Sequence, residues 1–248
     1  MNKNLAQEAI EKFLSFPLGS SAELLLEFAS LPRAISHLDG GKKNFVYVPG
    51  TRDDRVLLVA HADTVWDLLY TYSKSFTQEI VLKDGIYRGK HATCGIGADD
   101  RAGCAMLWLL RESGHSLLVV DGEEYGQIGS NHIRESYPDI FDELNKHSYM
   151  LQLDRRESNN YKVYRLPVSR EFIEFIESTT GYSDAGKSAR TDIVTLCRDV
   201  CGVNLSIGYR NEHSSFETLD FEEWFATLTL VEGFLAAKQK SYPLDNGI

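Results

Sequence analysis

Acidic and histidine side chains follow four apolar stretches of this sequence, where buried strands are expected to end. They are His61, Asp63, Asp121, Glu123, Glu124, Asp154 and His213. Carboxylates and imidazoles transfer protons and bind divalent metals, and the recurrence of one pattern at four places favours a shared metal site. Because no thiolate belongs to the set, its oxygen and nitrogen donors suit zinc, and also manganese or cobalt.

Two neighbouring glutamates are the most demanding part of this pattern. Glu123 and Glu124 stand close behind the apolar run LLVV, where two carboxylates should repel one another and resist removal from water. Bound cations would offset that cost. A second acidic pair, Asp99-Asp100, lies in the glycine-rich stretch CGIGADDRAG. The glycines indicate a close backbone approach, although capping of the following helix also explains the acids.

His61 and Asp63 are separated by one residue, so an extended chain places both side chains on the same side. Asp63 can then accept the second imidazole N–H and orient His61, as carboxylates do behind metal-binding histidines. A surface hydrogen bond is the alternative explanation of this spacing.

The elements that must position these residues alternate along the chain. Helices are predicted at 3–15, 20–31, 101–112, 129–136, 169–180, 191–201 and 220–239. Strands are predicted at 44–50, 55–63, 116–121, 149–153, 161–165 and 203–209, with a hairpin at 78–88 around Asp84-Gly85. This alternation predicts one α/β domain over residues 1–248, a three-layer α/β/α fold with a mixed, mostly parallel central sheet. Ligands bind at the carboxyl ends of such strands.

Composition restricts the partners and the location. The 248 residues carry a net charge of −10, which argues against nucleic acid or an anionic membrane as a partner. Neither an apolar run long enough to span a membrane nor a signal peptide is recognised. The cysteines Cys94, Cys104, Cys197 and Cys201 match no zinc-finger spacing and are expected to be free thiols in a cytoplasmic protein.

Five ordered motifs between residues 55 and 219 resemble one enzyme family. AHADTV, GIGADDRAG, DGEEYGQIGS, QLD and EHSSFE are similar to the di-zinc aminopeptidase and aminoacylase superfamily, which includes zinc aminopeptidases and peptidase T-like enzymes. Relatives often carry a lid or dimerisation domain, either before the bridging aspartate or before the last histidine. The corresponding segments here, 63–99 and 154–213, are too short for one, so the resemblance implies the catalytic core alone.

The resemblance also implies a role for each position. The metal ligands would be His61, Asp99, Glu124, Asp154 and His213, and the catalytic residues Glu123 and Asp63. Asp99 would bridge two divalent ions, with His61 and Asp154 completing one site and Glu124 and His213 the other. Glu123 would act as general base, Asp63 would orient His61, and Asp100 would support the bend beside Asp99.

The implied activity is a two-metal hydrolase that cleaves peptide bonds through a metal-bridging water, as an aminopeptidase or other exopeptidase on short peptides. A dipeptidase or carboxypeptidase, a deacylase of N-acyl amino acids, and a non-catalytic binding module on the same fold are the alternatives. Arg155, Arg156 and Arg210 are candidates for gripping a substrate carboxylate. Salt bridges to nearby acids are an alternative role for these arginines.

Overall fold

The computed structural model describes residues 1–39, 41–69 and 77–245. Its strands are β1 (Ile35–His37), β2 (Phe45–Val48), β3 (Leu57–His61), β4 (Ile80–Lys83), β5 (Ile86–Gly89), β6 (Ser116–Val120), β7 (Met150–Arg155), β8 (Asn160–Lys162), β9 (Ser183–Asp184), β10 (Gly202–Ser206), β11 (Tyr209–Arg210) and β12 (Thr218–Asp220). Its helices are α1 (Lys3–Leu14), α2 (Ala22–Ala29), α3 (Trp66–Leu69), α4 (Ala98–Leu110), α5 (Ile128–Ser136), α6 (Pro138–Leu144), α7 (Arg170–Thr180), α8 (Asp192–Leu196) and α9 (Phe221–Ala236). Part of segment 63–99, for which only a hairpin is predicted, lies outside the described residues.

The main sheet has eight strands in the order β1-β2-β6-β3-β7-β10-β8-β9. Its inner strands β6, β3, β7 and β10 run parallel, whereas β2 and β8 pair antiparallel with the strands beside them. Parallel strands are covered on both faces, which explains why β3 and β6 are almost entirely apolar and every one of their residues is buried. The predicted mixed, mostly parallel sheet is confirmed.

Helices cover both faces of this sheet. Leu58 and Ala60 of β3 belong to the larger apolar core, whereas the alternating Leu57 and Val59 belong to a second core on the opposite face. Helices α1, α4, α7 and α9 contribute to the larger core, and α5, α6 and α8 to the second. The predicted three-layer α/β/α arrangement is therefore confirmed. None of the helices in the described ranges is long and apolar enough to cross a membrane.

A second, antiparallel sheet has the strand order β11-β12-β5-β4. The predicted hairpin is confirmed as β4 and β5, joined by Asp84 and Gly85 with φ values of 53° and 79°. Two positive φ values suit the right-handed twist of a tight hairpin, and glycine adopts the second without strain. At the end of β12, Asp220 caps α9 by accepting the backbone N–H groups of Glu222 and Glu223.

The predicted helix 191–201 is too long, because α8 ends at Leu196. Asn145 explains the break: its Oδ1 accepts the backbone N–H groups of Arg198 and Asp199 at 2.9 and 3.0 Å, and its Nδ2 donates to Leu196 O. These bonds satisfy groups that a helix would otherwise pair. Helix α6, which starts at a proline, is missing from the prediction.

Candidate metal centre

Asp99 lies between two histidines and offers one carboxylate oxygen to each. Its Oδ1 is 3.2 Å from His61 Nε2, and its Oδ2 is 3.2 Å from His213 Nε2. The two histidines are distant in sequence, so only the fold brings both to one aspartate. A carboxylate in this position can bridge two cations, one beside each imidazole.

Each histidine has a further carboxylate beside it. His61 Nε2 is 3.5 Å from Asp154 Oδ1, and His213 Nε2 is 3.0 Å from Glu124 Oε1. The cluster therefore divides into two donor groups that share Asp99. Ligand atoms of His61, Asp99 and Glu124 lie within 4.8 Å of one another, a spacing that could hold a metal ion.

The main sheet positions most of this cluster. His61 ends β3, Asp154 lies near the end of β7, and Glu123 and Glu124 follow β6. Because β6, β3 and β7 are adjacent and parallel, their carboxyl ends meet at one edge, where ligands bind in such sheets. His213 comes from elsewhere, the connection between β11 and β12 of the second sheet.

Asp63 is fully buried and holds both His61 and the glutamate pair. Its Oδ1 and Oδ2 accept the backbone N–H groups of Glu123 and Glu124 at 3.1 and 3.2 Å. Its Oδ1 is also 3.4 Å from His61 Nδ1, which makes a 3.1 Å contact with the backbone oxygen of Asp63. The pKa of Asp63 is lowered: burial opposes ionisation, but hydrogen bonding and the charges of His61 and Lys42 outweigh it.

Asp100 follows Asp99 through a cis peptide bond and, unlike Asp99, does not line the cleft beside the cluster. It is fully buried, with Oδ2 accepting His61 N and Oδ1 accepting Gly103 N, both at 3.1 Å. A Cβ on Gly103 would lie 2.1 Å from Leu153 O. The close backbone approach predicted from this glycine-rich stretch is therefore present, between α4 and β7.

Glu217 is a residue of this region that the sequence argument left without a role. It is 2% exposed and accepts three backbone N–H groups, those of Ile96, Gly97 and Asp99, at 2.8 to 3.0 Å. Burial raises the pKa of Glu217 to about 7. Its presence in the quoted motif EHSSFE was the available signal. It fixes the loop that carries Asp99.

The two adjacent glutamates differ in their contacts. Glu124 accepts a hydrogen bond from His213, whereas the carboxylate of Glu123 accepts none within the described part of the chain. Burial, together with Asp192, Asp154 and other acids, raises the pKa of Glu123 to about 9 against the opposing charge of His61.

Thr191 lies behind Asp154. Its Oγ1 donates to Asp154 Oδ2 at 3.1 Å and accepts from Gln152 Nε2 at 2.8 Å. It occupies the N-cap position of α8 without a side-chain capping bond. Thr191 and Gln152 fix one oxygen of Asp154, and the other remains directed towards His61.

Two of the predicted arginines line the cleft above the cluster, and each has a partner. Arg155 donates to Asn160, and Arg156 forms a 2.8 Å ion pair with Glu212. Arg210 lies outside this cleft and pairs with Glu223 of α9 at 2.7 Å. Asp121 is also apart from the cluster: it accepts hydrogen bonds from Ser21 and Asn44 in a buried network.

The donor chemistry of the cluster fits divalent metal ions. Carboxylate oxygens and imidazole nitrogens are ligands for zinc and for manganese or cobalt. Burial raises the pKa of Glu124 and of Asp154 despite the nearby histidines, so the protein's own cations do not fully offset the buried negative charge. Bound divalent cations would do so.

Comparison with known proteins gives structural matches only. No protein-family model and no curated protein matches the chain. Aminopeptidase PepT from Bacillus cereus matches with a TM-score of 0.66 and 14% identity over 95% of this chain and 98% of that one. A tripeptidase from Staphylococcus aureus gives 0.65 and 13% over 95% and 98%. An aminopeptidase from the archaeon Desulfurococcus kamchatkensis gives 0.63 and 13% over 94% and 95%. The chain therefore has the fold of these aminopeptidase and tripeptidase structures.

Proposed function

We propose that the chain is a two-metal exopeptidase that removes amino-terminal residues from short peptides. The observation that carries the proposal is the position of Asp99, with one oxygen 3.2 Å from each of two histidines. A bridging carboxylate between two imidazole-containing donor groups is the arrangement that a pair of catalytic cations requires. The fold shared with known aminopeptidases supports the same conclusion.

The residues present could hold two ions. His61, Asp99 and Asp154 would bind one, and His213, Asp99 and Glu124 the other, with zinc as the proposed metal and manganese or cobalt as alternatives. Asp63 would orient His61 through its contact with Nδ1. A site whose ligands include no thiolate can bind several kinds of divalent ion. Metal analysis of the purified protein decides among them.

Glu123 is the proposed general base. When bound, the two ions would polarise the scissile carbonyl and lower the pKa of the attacking water. Glu123 accepts the proton of that water and then donates it to the departing amine. The absence of a hydrogen bond to its carboxylate in the described residues supports this role, because Glu124 is already engaged by His213.

The proposed catalytic unit is the single domain of residues 1–248, acting on a peptide or an acylated amino acid. A cleft of about 280 Å³ lies above the donor groups, a size suited to a short substrate. The proposed location is the cytoplasm, because Cys104, Cys197 and Cys201 form no disulfide within the described residues.

The first experiment separates base from ligand. Glu123→Ala should abolish peptide hydrolysis while about two divalent ions remain bound per chain, whereas Glu124→Ala should lose an ion. Glu112→Ala is the matched control, because the Glu112 side chain is 89% exposed outside the cleft. Loss of an ion from Glu123→Ala would mean that the two glutamates have the opposite roles.

A substrate panel then tests the reaction class. Leucine p-nitroanilide, Leu-Gly, Leu-Gly-Gly and N-acetyl-leucine are offered to the zinc-loaded protein. Hydrolysis of substrates with a free amino terminus, together with no cleavage of N-acetyl-leucine, is expected for an aminopeptidase. Cleavage of N-acetyl-leucine alone would make the chain a deacylase. If the protein retains no tightly bound metal and hydrolyses no substrate after zinc is added, only a binding module on this fold would remain.

A further inference from the structure

Lys162 is a buried cation on the wall of the cleft, and its hydrogen-bond acceptors are neutral. The residue is 7% exposed, and its Nζ donates to the backbone oxygen and the Oγ of Ser188, both at 3.1 Å. In the described part of the chain no carboxylate forms an ion pair with it. The side chain of Lys162 is largely buried, and an ammonium at its end without a counter-ion is unfavourable, because neutral acceptors replace only part of its hydration.

The surroundings of Lys162 increase this cost. Burial and the charges of Arg155 and Arg156 lower the pKa of the Lys162 ammonium, and Asp184 on β9 only partly opposes them. The two arginines already have partners in Asn160 and Glu212. Lys162 is therefore the buried cation of this group whose requirement for a negative partner is met least within the chain.

The cleft is therefore lined by charged groups of both signs. The residues that line it include Glu123, Asp154 and other acids of the candidate metal centre, and also Lys162 with the two arginines. A peptide with a free amino terminus and a carboxylate matches this polarity. The amino end would be drawn to the acids and the carboxylate to Lys162 and the arginines, with the scissile bond between them.

We propose that Lys162 binds a carboxylate on the departing part of the substrate and so restricts the enzyme to short peptides that carry an anion there. This inference rests on the proposed exopeptidase function. The carboxylate is either the carboxyl terminus of the peptide or an acidic side chain, since both present the same group to an ammonium. A charge-assisted hydrogen bond of this kind contributes roughly tenfold or more to binding.

The experiment compares three peptides at the zinc-loaded enzyme: Leu-Ala-Gly, its carboxyl-terminal amide, and Leu-Asp-Gly amide. If Lys162 reads the terminus, kcat/KM for Leu-Ala-Gly exceeds that for its amide by about tenfold or more, mainly through KM. If it reads an acidic side chain, Leu-Asp-Gly amide is preferred over Leu-Ala-Gly amide instead. In either case Lys162→Met should remove most of the preference, and Lys238→Met, at an exposed position outside the cleft, should retain it.

A binding measurement avoids any dependence on turnover. Calorimetric titration of Leu-Ala-Gly and Leu-Asp-Gly amide into Glu123→Gln, with and without Lys162→Met, should show about a tenfold loss of affinity for the preferred peptide. Thermal melting checks the fold: methionine keeps the length of the side chain and removes a buried charge, so the midpoint should not fall.

The outcomes separate this inference from the proposed function. Hydrolysis of all three peptides without a preference for an anion would overturn the role of Lys162 and leave the exopeptidase intact. An anion preference that Lys162→Met retains, with a folded protein, would also overturn it. Absence of hydrolysis by the wild-type enzyme would contradict the proposed function, whereas a Lys162-dependent binding of the peptide to Glu123→Gln would still support the carboxylate site.

Discussion

Glu217 Oε1 accepts the backbone N–H of Asp99 at 3.0 Å, so one buried carboxylate fixes the backbone of the residue that lies between the two histidines. Its other oxygen accepts the N–H groups of Ile96 and Gly97. A Cβ on Gly95 would lie 2.3 Å from Glu217 Oε2, so the loop fits closely around this side chain.

Removal of Glu217 is therefore expected to be severe. Glu217→Ala leaves three buried N–H groups without an acceptor, which should lower the free energy of unfolding by about 3 kcal/mol or more. Chemical denaturation and zinc content measure the effect. Glu222→Ala is the control, because its ion pair with Lys3 is exposed and should contribute less than about 1 kcal/mol. Equal stability of the two variants would contradict this role of Glu217.

Asp63→Asn tests the support of His61 and of the glutamate pair. The amide can accept one of the two backbone N–H groups that the carboxylate accepts, and it no longer stabilises the imidazole as an anion. Zinc affinity should fall roughly 10- to 100-fold, measured by competition with a chromogenic chelator. Asp53→Asn, at an exposed position, should bind zinc as the wild type does. Unchanged affinity in Asp63→Asn would exclude the orienting role.

Metal stoichiometry should distinguish the shared ligand from an unshared one. Asp99→Ala is expected to weaken both proposed metal sites, because each histidine faces one of its oxygens. Asp154→Ala should weaken only the site at His61. Metal analysis after dialysis against limiting zinc compares the two variants. Retention of two ions by Asp99→Ala would remove the basis for a bridging carboxylate.

The stability of the protein should depend on pH through His147, which does not line the cleft and packs against Tyr47 of the second core. This residue is 1% exposed, and burial lowers the pKa of its imidazole from 6.5 to about 4. The unfolded chain therefore binds the proton first. The stability contributed by neutral His147 is full above pH 6.5 and is lost as the pH falls towards 4, by roughly 3 kcal/mol in total.

The measurement is the free energy of unfolding by urea between pH 7 and pH 4. His147→Gln retains groups that can bond to Leu144 and Ser116, the present partners of the imidazole, but does not titrate. Its stability should fall less steeply over this range than that of the wild type. Parallel pH profiles of the two proteins would show that His147 is not responsible.

The elements that a local pattern specifies could be predicted from the sequence. Apolar runs predicted the inner strands, and Asp84-Gly85 predicted the hairpin. The polar residues that follow the strands predicted the cluster of acids and histidines. Long-range hydrogen bonds decided the rest. Asn145, at the end of α6, ends α8 by accepting the backbone N–H of Arg198. Thr191 contacts Asp154 because β7 and α8 are neighbours. Neither contact has a local signal in the sequence.

Which cations have a negative partner could also be learned only from the structure. No sequence pattern singles out Lys162, and only its burial beside Arg155 and Arg156 indicates a missing anion. Conversely, Arg210 was a candidate for substrate binding, and its pairing with Glu223 became visible only once β11 and α9 were placed side by side. The fold therefore decides which of these cations is paired with an acid and which is not.

One of the proposed metal ligands, His213, comes from the second sheet, and this links metal binding to the docking of the two sheets. His213 lies between β11 and β12, whereas His61 and Asp154 end strands of the main sheet. Ions shared through Asp99 would join the two sheets across the cleft, so metal occupancy and local opening of the smaller sheet become linked equilibria. Amide hydrogen exchange in β12 should therefore slow when zinc is added, and the proposed catalytic site would form only in molecules whose two sheets are already docked.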